Sequence, residues 1–191
     1  MYANIILMRF FMFCSLFGLL SCSASRPSDL AKDSPLFIPE KVFQGKMRGE
    51  GAVFDRFGNI QRAFVLHLEG LPSSNGVIVK ERLVYDNGEE ESREYAFENL
   101  GKGIYQATSE SGLVGPAKIE AVGNILRWKY YFEVPYRNKI RHMRFDDWMY
   151  LQDNGNVINR ATIYWWGIRV GELFMVVKPI DDDSAQINPP E

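Results

Sequence analysis

The stretch Ile125-Leu126-Arg127-Trp128-Lys129-Tyr130-Tyr131-Phe132-Glu133-Val134 decides the fold. Leu126, Trp128, Tyr130, Phe132 and Val134 fall on one side of an extended chain, and Arg127, Lys129, Tyr131 and Glu133 on the other. A period of two with aromatic and β-branched residues predicts a strand with one buried and one wet face. Phe64, Leu66 and Leu68 repeat the pattern, and Val77, Val79, Glu81 and Leu83 repeat it with a glutamate on the apolar side. No segment between Val42 and Pro179 has a long helical period.

Turn chemistry separates these runs, at Asp55-Arg56-Phe57-Gly58-Asn59, Ser73-Ser74-Asn75-Gly76, Asp86-Asn87-Gly88, Gly101-Lys102-Gly103, Gly123-Asn124, Tyr136-Arg137-Asn138-Lys139 and Asp153-Asn154-Gly155-Asn156. Asn and Gly accept the positive backbone angles of tight hairpins, so consecutive strands are expected to pair antiparallel. The expectation is all-β: a single up-and-down meander that closes into a barrel of about 8–10 strands, because closure removes the two exposed edges. An open curled sheet or a two-sheet sandwich fits the same pattern.

The N-terminal region reads differently. Phe10 to Leu20 is an uncharged apolar run preceded by Arg9, too short for a membrane span and of the length of a signal-peptide core. Leu19-Leu20-Ser21-Cys22 then fits a lipobox, in which a small residue precedes the cysteine that accepts lipid. The expected organisation is a lipoprotein signal peptide over 1–21, a lipidated Cys22 with a flexible tether over 22–35, a barrel domain over 36–180 and a disordered acidic tail over 181–191. Ser23 and Ala24 follow, with no aspartate to retain the protein at the inner membrane. The expected address is therefore the outer membrane, facing the periplasm, with the membrane as partner through lipid on Cys22.

Composition narrows the chemistry. A net charge of -2 offers no global field for nucleic acid, which is not expected as a partner. Cys14 and Cys22 are the only cysteines, and His67 and His142 the only histidines and far apart, so neither a disulfide framework nor a metal site is expected. No Gly-x-Ser-x-Gly elbow, phosphate loop or dinucleotide fingerprint occurs, and no cofactor or enzymatic activity is expected. Asp146 and Asp147 are adjacent, hence on opposite faces of a strand.

The densest unusual sequence includes Phe145-Asp146-Asp147-Trp148-Met149-Tyr150-Leu151, Asn159-Arg160-Ala161 and Gly167-Ile168-Arg169-Val170-Gly171-Glu172. A two-residue turn at Asn154-Gly155 would pair Leu151 with Ile158, Met149 with Arg160 and Asp147 with Thr162. Asp147 and Arg160 would then be diagonal neighbours on one face, and Trp148, Tyr150 and Asn159 would share the other. Asp147, Trp148, Tyr150, Asn159, Arg160 and Trp128 are the candidate ligand-binding residues, against the alternative of a structural ion pair with core aromatics. Trp165 and Trp166 either pack the barrel end or sit at a membrane interface.

These segments resemble DUF3833, a family of uncharacterised bacterial lipoproteins, over nearly the whole domain. The resemblance implies an exported lipoprotein with a lipocalin-like or calycin-like barrel and no established activity. The leading expectation is an envelope lipoprotein whose barrel binds or carries an apolar ligand, a fatty acid or lipid. A non-enzymatic interaction module using exposed aromatics and a lipid-acting enzyme are the alternatives.

Overall fold

The computed structural model describes residues 25–180. The expected signal peptide, the lipidation site at Cys22 and the acidic tail lie outside the described residues. Ten strands follow one another: β1 (Gly45–Asp55), β2 (Ile60–Ser73), β3 (Gly76–Tyr85), β4 (Glu90–Gly101), β5 (Ile104–Thr108), β6 (Ala117–Val122), β7 (Ile125–Tyr136), β8 (Lys139–Leu151), β9 (Val157–Trp165) and β10 (Ile168–Pro179). Each pairs antiparallel with its sequence neighbour, and β10 returns to β1, from Met47↔Pro179 to Asp55↔Gly171. The sheet is thus a closed up-and-down barrel without a free edge, as the turn chemistry predicts.

The period of two sets what faces inward. Phe64, Leu66 and Leu68 of β2, Val77, Val79 and Leu83 of β3 and Leu126, Trp128 and Phe132 of β7 are all buried. Two kinds of hairpin set the register. Lys102-Gly103, Arg137-Asn138 and Trp166-Gly167 form two-residue turns with both residues at positive φ, which matches the twist of the flanking strands. At Asp55–Asn59, Tyr85–Glu89 and Gln152–Asn156 the loop has three residues, closed by paired backbone bonds such as Gln152 N–H to Asn156 O (2.8 Å) and Gly155 N–H to Gln152 O (3.0 Å).

The third of these corrects the expected register. With three residues in the loop, Leu151 pairs with Val157, Met149 with Asn159 and Asp147 with Ala161. The strand slips by one residue, and a slip of one moves every side chain to the other face.

The N-terminal segment closes one end of the barrel. Residues 25–35, expected as tether, lie against the wall: α1 (Pro27–Leu30) buries Pro27, and Ser25 O accepts a bond from Arg127 Nη1 (3.0 Å). The buried Asn124 staples this segment, its Oδ1 accepting from Lys32 N–H (2.8 Å) while its own N–H donates to Lys32 O (3.1 Å). After α2 (Pro39–Val42), Phe43 enters the barrel edge-on to Phe37 (5.7 Å) and Phe97 (5.9 Å). Glu40 holds this plug by accepting from Asn99 Nδ2 (2.7 Å) and Tyr105 OH (2.9 Å). Gly70 is required here, since a Cβ would stand 1.6 Å from Phe43 O. Residues 25–180 therefore contain every strand of the closed barrel, its plug and the bonds that hold it.

Candidate ligand site in the barrel lumen

Above the plug the lumen is filled by packed side chains. A void of about 20 Å³, room for one water, lies between Phe43, Leu66, Val79, Phe97 and Val177 and reaches Glu81, Met149 and Met175. An aromatic ladder rises from it. Trp128 packs edge-on against Tyr95 (5.6 Å) and Phe97 (5.6 Å), Tyr130 lies 4.1 Å from Trp128, and Tyr130 stacks on Phe145 (5.2 Å, 8° between planes).

Higher up, Phe64, Leu83, Phe132 and Met143 stay buried, while the other inward-facing side chains are half-buried. Val53, Leu173, Met175, Ile163, Phe145 and Met149 form one such wall across β1, β10, β9 and β8. The facing wall, on β3 and β4, carries Glu81, Tyr85, Glu91 and Arg93. Glu81 pairs across the strands with Arg93. Arg93 binds Glu91 through Nη2 (2.8 Å), and Tyr85 OH donates to Glu91 Oε2 (2.9 Å). Arg93 also covers the Phe132 ring at 4.6 Å. An apolar wall thus stands opposite a tyrosine and a guanidinium between two carboxyls.

Electrostatics mark the same place. Burial pushes the Glu81 carboxyl up to about 7; Arg93 opposes the shift, and Asp147 and Glu91 add to it. Burial likewise pushes Asp147 up to about 6, against hydrogen bonds from Asn159, Trp128 and Tyr130 that favour the carboxylate. Burial disfavours the Arg93 cation, but Tyr95, Glu91 and Glu81 outweigh it and hold the guanidinium charged. Tyr85 is pushed up to about 12, chiefly by burial and then by Glu91. Perturbed groups gathered in one place mark candidate sites, as they also mark structural ion-pair networks.

The structure divides the six sequence-predicted ligand residues. Trp128, Asp147 and Asn159 face the lumen as one network: Trp128 Nε1 donates to Asp147 Oδ2 (2.9 Å), and Asn159 Nδ2 donates to Asp147 Oδ1. Asn159 is 1% exposed, and its own Oδ1 has no partner. Trp148, Tyr150 and Arg160 are on the outer wall. There Trp148 lies under Arg127 (4.2 Å), which forks onto Asp146 at 2.8 Å, and Arg160 pairs with Glu172. Asp147 and Arg160 therefore do not meet, and Tyr150 and Trp148 do not share a face with Asn159.

Glu91, Arg93 and Tyr95 were missed because Glu90–Gly101 reads as a wet polar strand. The signal was present in the turn: a three-residue loop at Asp86-Asn87-Gly88 places Glu81 opposite Arg93, inward like Val79.

A larger concavity, about 490 Å³, lies across β2, β3 and β4, lined by His67, Glu69, Lys80, Arg82 and Glu94 together with Glu81 and Arg93 of the polar wall. Its charges are of both signs, and Lys80 and Glu94 face each other at 3.7 Å. Among the described residues no three His, Cys, Asp or Glu side chains converge to hold a metal ion, and no helix is long and apolar enough to cross a membrane.

Residues 16–179 match the family described as a protein of unknown function, DUF3833. No curated relative matches the chain. Among solved structures it is similar to a protein of unknown function from the DUF3598 family of Nostoc punctiforme, with a TM-score of 0.53 and 11% identity over 78% of this chain. The match spans 51% of that longer protein, and at this identity it speaks to the fold alone.

Proposed function

The chain belongs to the DUF3833 family, whose activity is not established, and we propose from its geometry that it is a non-enzymatic binding protein for an amphiphile held in the upper half of the barrel. The observation that supports this reading most is the pairing of two unlike walls. Val53, Phe145, Met149, Ile163, Leu173 and Met175 offer an apolar wall, and Glu81, Arg93, Glu91 and Tyr85 a polar one. Burying several ionisable groups in a barrel that an apolar core would stabilise better makes sense when they meet a ligand. The filled floor limits how deep the ligand goes: a fatty acid or lipid would place its polar group at Arg93 and keep most of its chain above Trp128.

The proposal includes an envelope address, with the barrel tethered by lipid on Cys22 to the outer membrane and facing the periplasm. The lipobox supports it, and a Cys22→Ala chain that still matures and stays membrane-bound would remove that support.

The lumen is tested with an environment-sensitive apolar dye offered to the chain from Ser25 onward. The dye is expected to brighten on binding and to be displaced by fatty acid, and Leu173→Trp, which crowds the upper lumen, is expected to abolish uptake. Dye binding that Leu173→Trp leaves unchanged would overturn the lumen as the site.

A further inference from the structure

The connections β1–β2, β3–β4, β5–β6, β7–β8 and β9–β10 all lie at the end of the barrel opposite the plug. The strands β7-β8-β9-β10-β1-β2 are consecutive around the wall, so the hairpins β7–β8, β9–β10 and β1–β2 are neighbours on that rim. Their tips carry large apolar side chains turned out to solvent. Trp166 is 88% exposed and Phe57 75%, and Ile60, Tyr136, Ile140 and Ile168 are exposed beside them. Cations are interleaved: Arg56 lies over the Phe57 ring (4.6 Å), Arg137 over Tyr136 (5.3 Å) and Arg141 over Trp165 (5.2 Å). From Tyr136 to Arg144 the chain has Arg137, Lys139, Arg141 and Arg144 and no carboxylate.

Trp166 has a further peculiarity. It occupies a position at φ +53 in its two-residue turn, where Asn or Gly is the favourable choice and a bulky residue is strained. Its indole meets the Trp165 ring edge-on (6.3 Å) and otherwise stands in solvent, outside the core. Strain at an exposed aromatic tip points to a role outside the fold.

We propose that this half of the rim docks onto an anionic phospholipid bilayer. Aromatic tips seat at headgroup depth, and arginine and lysine beside them meet lipid phosphate. The β3–β4 hairpin on the remaining rim offers no such aromatic tip, and its Glu89 and Glu90 are taken up by Arg62 and Arg82, so the contact is one-sided. Docking sets the mouth of the lumen against lipid. Ser25 lies beside Arg127, near the plugged end of the barrel and away from this rim. The inference does not depend on a ligand in the lumen.

The test is sedimentation of the chain from Ser25 onward with vesicles of phosphatidylcholine, alone or mixed with phosphatidylglycerol. Mixed vesicles are expected to bind it at least about tenfold more tightly than neutral ones, and added salt is expected to release it. Phe57→Ser with Trp166→Asn is expected to weaken binding by about tenfold or more. Asn-Gly suits that turn, so the variant's unfolding midpoint should not fall, and its dye uptake in the lumen should be unchanged. No binding to either vesicle, equal binding to both, or a variant that binds like the parent would overturn the proposal.

Discussion

Asp147 is the most informative residue to change. It accepts from Trp128 Nε1 and Asn159 Nδ2, with Tyr130 a third contributor, inside a dry part of the lumen. Asp147→Ala removes the acceptor and strands two buried donors at about 1–3 kcal/mol each, so a loss of about 3–5 kcal/mol is expected once the small cavity is added. Asp147→Asn is different because Asn159 Oδ1 stands unpartnered. If Asn159 turns its amide over, its Oδ1 accepts from the new amide and the other side of the new residue still accepts from Trp128, but the turned Nδ2 gives up the Trp148 carbonyl (3.4 Å) and takes the unpartnered place, a cost of about 1–3 kcal/mol. Against this, the carboxyl is pushed up from 3.8 to about 6 by burial, so its ionised form disfavours the folded state by about 3 kcal/mol, and the amide removes that cost. The two effects nearly cancel, so Asp147→Asn is expected within about 1 kcal/mol of the parent near neutral pH. The sign with pH follows. The folded state holds this proton more tightly, so the parent's stability declines as pH rises from about 4 to about 6, and the Asn variant lacks that part of the decline. Urea unfolding followed by tryptophan fluorescence across this range measures both. An Asn variant as unstable as the Ala variant would refute the reasoning about the orphaned oxygen.

The remaining predictions concern the other polar groups. Glu81, pushed up to about 7, contributes full stability below its unfolded value near 4.5 and loses it as pH rises toward 7. Glu81→Gln, which leaves Arg93 its bond to Glu91, should therefore flatten the unfolding midpoint between those limits; an unchanged slope would place the titration elsewhere. Asn124→Ala frees Lys32 N–H and the Leu151 carbonyl from the side chain and should cost about 1–3 kcal/mol, with faster amide exchange at residues 30–37 as the direct readout. Gly70→Ala, which sets a methyl against the Phe43 carbonyl, should cost at least as much and loosen the plug, visible as increased proteolysis ahead of Gly45.

The barrel itself was legible because its signals are local. Alternation along β7 and β2 fixed the inward faces, and Gly, Asn and Asp marked nearly every reversal. The site was legible only in part, because it depends on register. Asn154-Gly155 looks the same in a two-residue and a three-residue loop, and the choice decides whether Arg160 or Asn159 is diagonal to Asp147. A helix of four residues such as Pro39–Val42 carries no periodic signal, so the plug, Asn124 as its staple and Glu40 as its clamp were not foreseen. Arg93 was hidden for another reason. Its strand puts charges on both faces, and only its pairing with Glu81 shows that one of those faces is the lumen.

If the upper half of the lumen holds an amphiphile, native mass spectrometry of the protein purified from its own host detects it. The account predicts one tightly held molecule with an apolar chain and a polar group, lost from the Leu173→Trp variant. An unliganded mass for the parent, with no uptake from a pool of fatty acids and phospholipids, would contradict it.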